Sequence, residues 1–337
     1  MRAAERSGFR WQQQAVTSGV VVLTGASSGI ARATALALAE RGAAVVLAAR
    51  DAAALKEVAT ECEQAGGRAL AVPTDVCDEA AVTALADQAA ETFGGIDVWV
   101  NAASVIVYGE FERVPSEVYR QVIETNLLGQ VHGARAVLPH FRARGGGVLI
   151  NLGSVWGSVS SPYVSAYVVS KFGIRAFSES LQEAMRLQRA TRGIKVCCIL
   201  PQSVDTPIFR HAGNYTRHEA KPVPPVIDPQ RVVRAILASI DHPRRQRTVG
   251  GWGRLLELGH TLAPGLFSRV VPTAMNLAAL GRSEADDTPG NVFESMPHWN
   301  KEDGHWRSTP ARAAVVTAAT GAVVAGAAIG IRHLRRT

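Results

Sequence analysis

Apolar residues in this chain come in short unbroken runs, separated by longer stretches with helical periodicity. The first run, residues 20–23, leads straight into Thr24-Gly25-Ala26-Ser27-Ser28-Gly29-Ile30-Ala31 and then an alanine-rich helix over 32–41. Runs at 43–49, 69–72, 96–100, 148–152 and 194–200 read as further strands, because a strand covered on both faces need not alternate. The stretches 52–65, 78–93, 116–144 and 162–189 read as helices, with Asp78 capping the second and Asn126 in the middle of the third. Strand and helix in alternation predict an α/β fold built on a doubly wound parallel sheet.

Beyond Pro201 the rhythm loosens. Residues 221–229 are a proline-rich loop, 229–240 a helix, 248–251 a last short strand, and 254–280 two helices split at Pro264-Gly265. The pattern divides the chain into a polar leader (1–18), an α/β domain (19–251), a helical extension (252–282), a flexible linker (283–312) and an apolar, Ala/Gly-rich helix with a basic end (313–337). Residues 313–331 carry no charge and span roughly 28 Å as a helix, close to the thickness of a bilayer core. Gly326 and Gly330 have the spacing of close helix contacts. A C-terminal membrane anchor is the preferred reading of this segment; the other readings are an alanine-rich helix packed on a partner subunit, or a disordered tail.

Composition narrows the class. Of 337 residues, 47% are hydrophobic and 19% charged, which suits a folded chain with a large core. The net charge of +7 is scattered, with clusters at Arg244, Arg245 and Arg247 and at the C-terminus. Neither cluster is interleaved with stacking aromatics, so no nucleic-acid partner is expected, and the charge suits an anionic cofactor or a membrane surface. Cys62, Cys77, Cys197 and Cys198 lack metal or redox spacing and read as buried reduced thiols. No metal site is expected, and the basic N-terminus lacks the hydrophobic core of a secretory signal.

Two stretches carry chemistry. In the first, a strand, a glycine turn and a helix follow in order, the context that makes a phosphate cradle. Gly25 permits the tight turn, Gly29 lets the backbone approach a phosphate, and the helix N-terminus offers free N–H groups and partial positive charge. In the second, Tyr167 and Lys171 stand four residues apart on one helix face, thirteen and more residues after Ser154. An ammonium beside a phenol lowers the tyrosine pKa from about 10 and makes it a usable proton donor and acceptor. Taken alone, the pair also fits an ordinary amphipathic helix with a surface lysine.

These residues together resemble the short-chain dehydrogenase/reductase family over roughly residues 20–250. The resemblance rests on TGASSGIA at 24–31, NAAS at 101–104, Asn126 in ETNLLG, Ser154, YVVSK at 167–171 and PQSVDT at 201–206, in the family's order. It implies a single Rossmann-like domain that moves hydride between a nicotinamide cofactor and an alcohol or carbonyl. By position, Tyr167 is the general acid/base, Lys171 lowers its pKa and binds the nicotinamide ribose, Ser154 polarises the carbonyl and Asn126 holds a relay water. The implied cofactor site comprises Thr24, Gly25, Ser27, Ser28, Gly29, Ile30, Arg50, Asp75, Val76, Asn101, Ala102, Tyr167, Lys171, Pro201, Val204 and Thr206. Two departures stand out: Ala102-Ala103-Ser104 follow Asn101 where the family has NAG, and Gln202 replaces a glycine after Pro201.

Charge at the end of the second strand favours NADP(H) over NAD(H). Ala49 stands where an acid would bind ribose hydroxyls, and Arg50 offers a cation for a 2′-phosphate. Asp51 either caps the next helix or takes the ribose role. Ile208, Phe209 and Tyr215, with Val155, Trp156 and Tyr163, suit a hydrophobic alcohol or ketone, although Val155 is equally a core residue. The family also implies a homo-oligomer, and a catalytic domain that needs NADPH is expected to face the cytoplasm, membrane-associated if 313–331 is an anchor. The contrasting reading is a non-catalytic nicotinamide sensor or scaffold.

Overall fold

The computed structural model describes residues 19–188, 191–306 and 310–334; the expected polar leader lies outside them. Seven strands form one parallel sheet. They are β1 (Val20–Thr24), β2 (Ala44–Ala49), β3 (Arg68–Pro73), β4 (Val98–Asn101), β6 (Gly147–Leu152), β7 (Ile194–Pro201) and β10 (Gln246–Val249), in the order β10-β7-β6-β4-β1-β2-β3. The strand order reverses between β1 and β4, so a crevice opens at their C-terminal ends, where α/β sheets bind ligands.

The runs are apolar because helices cover both faces. On one side lie α1 (Gly29–Ala39), α2 (Ala52–Gln64) and α7 (Pro229–Asp241), packed on Val21, Leu23, Val45 and Ile150. On the other, α3 (Glu79–Phe93), α5 (Gly129–Arg144) and α6 (Ser165–Leu187) pack on Val22, Val46, Trp99 and Leu149. Asp51, Asp78 and Asp228 cap α2, α3 and α7 by accepting from amides two or three residues on. The expected helix 116–144 is interrupted. It runs as α4 (Ser116–Ile123), a π turn over Glu124–Leu128 and then α5, and the turn that carries Asn126 is the widened one.

In the C-terminal part the two expected helices meet at Pro264, and the apolar C-terminal helix packs on them. Helices α8 (Gly251–Leu262), α9 (Pro264–Ala279) and α10 (Pro310–Leu334) pack together, burying Leu256, Phe267, Val271, Val316 and Val323 with Trp156 and Trp252. The Trp252 indole N–H donates to the buried Thr320 hydroxyl at 3.2 Å. The membrane-anchor expectation is corrected here: among the described residues no helix is long and apolar enough to cross a membrane. The segment is rich in alanine and glycine rather than leucine, and it turns one face onto α8 and α9.

The stretch expected as a flexible linker follows a defined path through residue 306. It begins with β11 (Leu280–Glu284), antiparallel to β9 (His218–Ala220), and continues across the C-terminal edge of the sheet. Short strands β5 (Val107–Gly109) and β8 (Gly213–Tyr215) pair beside it.

Candidate active site

One cleft runs along the crevice between β1 and β4, with about 1420 Å³ of open space. That space, part of it open to solvent at the mouth, runs from the glycine turn to Ser154, Tyr167 and Lys171. Of the expected cofactor residues, Gly25, Ser27, Ser28, Gly29, Ile30, Arg50, Asp75, Val76, Ala102, Pro201, Val204 and Thr206 line it, with Ser154, Tyr167 and Lys171 further along.

The glycine turn fits a phosphate cradle on its own geometry. Gly25 sits at φ 74°, and a Cβ there would lie 2.7 Å from the Ala103 Cα. Gly29 sits at φ 56° at the start of α1, with Thr206 against the place a side chain would fill. Ser28 precedes α1 without spending its hydroxyl on the helix end, so the hydroxyl and the amides of Ile30 and Ala31 remain for a ligand, while the Gly29 amide donates to the Lys301 carbonyl. Gly25→Ala should therefore cost on the order of 1–3 kcal/mol, through the positive φ and the collision with Ala103. Thermal unfolding and dinucleotide titration read the two effects; an unchanged Tm with intact binding would contradict this packing.

Thr24 and Asn101 do not reach the cleft. The Thr24 hydroxyl accepts from the amides of Ala102 at 3.1 Å and Ala103 at 3.3 Å, which pins the loop after β4 to the glycine turn. The Asn101 amide donates to the Gln130 carbonyl and the Asn151 side chain, and its oxygen accepts from the Trp99 indole. Both hold the cradle from behind. Gln202 turns from the cleft floor, donating to the Pro225 carbonyl at 2.7 Å and packing on Gly250.

Ser154, just beyond the end of β6, accepts from the Trp156 amide at 3.2 Å, which orients its oxygen, and donates only a long 3.5 Å bond to the Pro201 carbonyl, a proton that a ligand oxygen can draw away. Tyr167 and Lys171 come from α6, with the ammonium 5.2 Å from the phenol ring centroid. Lys171 is 1% exposed and donates to the Leu152 carbonyl at 3.1 Å. Here the expected pKa pattern is revised. Burial pushes the Tyr167 phenol up to about 12, with the Ser154 hydroxyl pulling it back, and burial pulls Lys171 down to about 7. Loss of water dominates at both groups and favours the neutral form of each.

Asn126 is fully buried and all four of its hydrogen-bonding positions are used. Its oxygen accepts from the Val105 amide and the Ser104 hydroxyl, and its nitrogen donates to the Val105 carbonyl and the Ser170 hydroxyl. Ser170 donates in turn to the Tyr167 carbonyl at 2.7 Å. The side chain thus ties the loop after β4 to the helix of Tyr167 and has no capacity left for a water.

Arg50 lines the cleft, but its guanidinium donates to the carbonyls of Phe293 at 2.6 Å and Asn291 at 2.7 Å. Asp51 is committed twice, accepting from the Ala54 amide as a cap and from the Asn300 side chain. Asn291, Ser295, Met296 and Asn300 also line the cleft; no motif in the sequence marks them.

On the reactive side, Trp156, Ile208 and Phe209 form apolar wall, and a smaller recess behind them adds Tyr108, Tyr163, Val223 and Met275. Val155 is core against the helical extension, and Tyr215 packs with Val105 and Val118 away from the cleft.

Comparison with known proteins agrees with this geometry. A short chain dehydrogenase family model matches residues 19–215. An uncharacterized oxidoreductase of Bacillus subtilis, YxnA, is 35% identical over 293 residues, 86% of this chain and 80% of that one. The 3beta-hydroxysteroid dehydrogenase 1 of Eggerthella lenta is 37% identical over 203 residues, 60% of this chain and 76% of that one. The solved structure of an alcohol dehydrogenase from the archaeon Thermococcus sibiricus, complexed with 5-hydroxy-NADP, matches with TM-score 0.60 at 26% identity. It covers 69% of this chain and 96% of that one. With the family model spanning more than half of its length, the chain belongs to the short-chain dehydrogenase/reductase family, as an oxidoreductase acting on CH–OH groups.

Proposed function

We propose that the protein is an NADP(H)-dependent oxidoreductase that interconverts a hydrophobic alcohol and its ketone or aldehyde. The observation that carries this reading is the convergence of Ser154, Tyr167 and Lys171 on the same cleft as the glycine turn. A nicotinamide dinucleotide bound along that cleft supplies or accepts the hydride. In the reducing direction, Tyr167 donates its proton to the carbonyl oxygen, and a phenol raised to about 12 is in the donor form at neutral pH. Ser154 donates to the same oxygen as charge develops on it. Lys171, fixed by Leu152, keeps its remaining N–H groups for the cleft and supplies positive charge when protonated. Asn126 acts as a positioning residue; a relay water at the π turn would have to use its main-chain carbonyl.

The cofactor preference rests on charge. Ala49 has no carboxylate to repel a 2′-phosphate, and Asp51 is already spent on the helix cap and Asn300. Among the described residues Arg50 donates to main-chain carbonyls and to no carboxylate, so its charge remains available to an anion. Arg50→Ala should raise KM for NADPH roughly tenfold or more relative to KM for NADH, as loss of a charge-assisted contact predicts. Equal changes for both cofactors would contradict the preference.

The walls formed by Trp156, Phe209, Ile208 and Met275 support an apolar substrate. Exposed Val169 and Phe172 on α6 support a homo-oligomer, and the unpaired cysteines support a cytoplasmic location. A panel of hydrophobic ketones and alcohols, followed through NADPH absorbance, tests the activity; no turnover on any of them would favour a sensor.

A further inference from the structure

The polar segment after β11 does more than link two helical parts. It lies along the mouth of the cleft, and the groups that hold it are groups of the cofactor site. Arg50 donates to the carbonyls of Asn291 and Phe293, and the Gly29 amide, at the head of α1, donates to the Lys301 carbonyl at 2.7 Å. Arg32, buried and also paired with Glu57 and Glu61, donates to the Asn300 carbonyl. The far end is fastened by groups that do not themselves line the cleft, although the Trp306 ring also meets Phe209 of the apolar wall edge-on at 6.2 Å. Asp205 accepts from the amides of Gly304 at 3.1 Å and Trp306 at 2.7 Å, and the Arg210 guanidinium lies 4.0 Å from the Trp306 ring centroid.

Resting on the reading of the cleft as a dinucleotide site, we propose that residues 291–304 are a strap that roofs its adenosine half and must open for the cofactor to enter or leave. The strap covers the cleft without filling it, because Ser295, Met296 and Asn300 line open space together with Ser27, Ser28 and Asp75. A ligand bound beneath is enclosed by the turn of α1 below and the strap above. Val292 is fully buried against Val105, Val107 and Val118 and fixes the near end, and from Phe293 onward the fastening is mostly polar, made of a few hydrogen bonds to carbonyls and to the carboxylates of Asp51 and Asp205. Such a clasp opens far more readily than the packed core under it.

Arg50 therefore has two roles that separate experimentally. Losing its contact with the strap changes the exchange of NADPH and NADH alike, whereas losing a phosphate contact affects NADPH alone.

The test uses the full chain and two variants outside the cleft, Asp205→Ala and Trp306→Ala, each of which frees the far end of the strap. Stopped-flow fluorescence of NADPH binding and chase gives the association and dissociation rates. A gate predicts that both rates rise together, roughly tenfold, with little change in Kd. In the native chain, trypsin cleavage after the exposed Lys301 is expected to slow when NADPH saturates the cleft. Unchanged rates in both variants, or cleavage at Lys301 indifferent to NADPH, would overturn the strap. A rise in dissociation alone would replace the gate by a simple binding contact. Failure of the native chain to bind any nicotinamide dinucleotide would overturn the reading of the cleft itself, and the strap with it.

Discussion

Tyr167→Phe should lower kcat by about 10³-fold while leaving the fold and dinucleotide affinity nearly intact. The substitution removes one oxygen and keeps the ring that packs between Lys171 and the wall made with Tyr108 and Val164. What is lost is the proton delivered to the carbonyl oxygen; the remaining rate reflects the Ser154 hydroxyl and orientation within the cleft. A fall in kcat and kcat/KM by the same factor identifies an interaction made only in the transition state. If turnover survived within a factor of a few, Tyr167 would not be the acid and another group would have to supply the proton.

Lys171→Met should abolish most activity and also change how stability depends on pH. Lys171 has an ordinary value of 10.5 and is lowered to about 7 in the folded, ligand-free chain by burial. Between those values the unfolded chain holds a proton that the folded chain has released. Stability contributed by this group therefore rises with pH from about 7 toward 10.5, and below 7 the folded chain bears the full burden of a buried charge. Tyr167, raised from 10.0 to about 12, acts in the opposite sense but only above pH 10. Methionine has no charge to bury, and the Leu152 carbonyl keeps a second donor in Gln130 at 3.1 Å. The variant without cofactor should accordingly be more stable than the native chain at pH 6, by on the order of a few kcal/mol, with the gap closing toward pH 9. Denaturant melts at three pH values measure it. A pH-independent difference would mean that Lys171 is charged and well solvated in the free enzyme.

The parts of this chain legible from sequence are those whose physics is local. A strand running into TGASSGIA needs glycine at a positive φ, and Gly25 and Gly29 both adopt one. The Tyr-to-Lys spacing places two side chains on one face of α6 whatever surrounds them. Long-range choices were not legible. Thr24 and Asn101 look like ligand contacts in a motif, yet their side chains hold the cradle together from behind. The pKa of Tyr167 depends on how much water the closed fold excludes, which spacing does not encode. Arg50 could be recognised as a cation at the correct strand end, but its partners come from about 240 residues later in the chain. The segment carrying them is polar and rich in turns, so its order comes from contacts with Asp205, Arg210 and Arg32 rather than from its own pattern. The apolar stretch 313–331 has the length of a span, but its composition suits packing against α8 and α9.

The most direct measurement follows the hydride itself. NADPH deuterated at the transferable position is incubated with the protein and a hydrophobic ketone that supports turnover, and the alcohol is analysed by mass spectrometry and NMR. Hydride transfer with Tyr167 as the proton donor predicts one deuterium on the carbinol carbon and a solvent-derived proton on its oxygen, with the yield collapsing in Tyr167→Phe. An alcohol formed without deuterium on that carbon, or formed equally well by the variant, would contradict it.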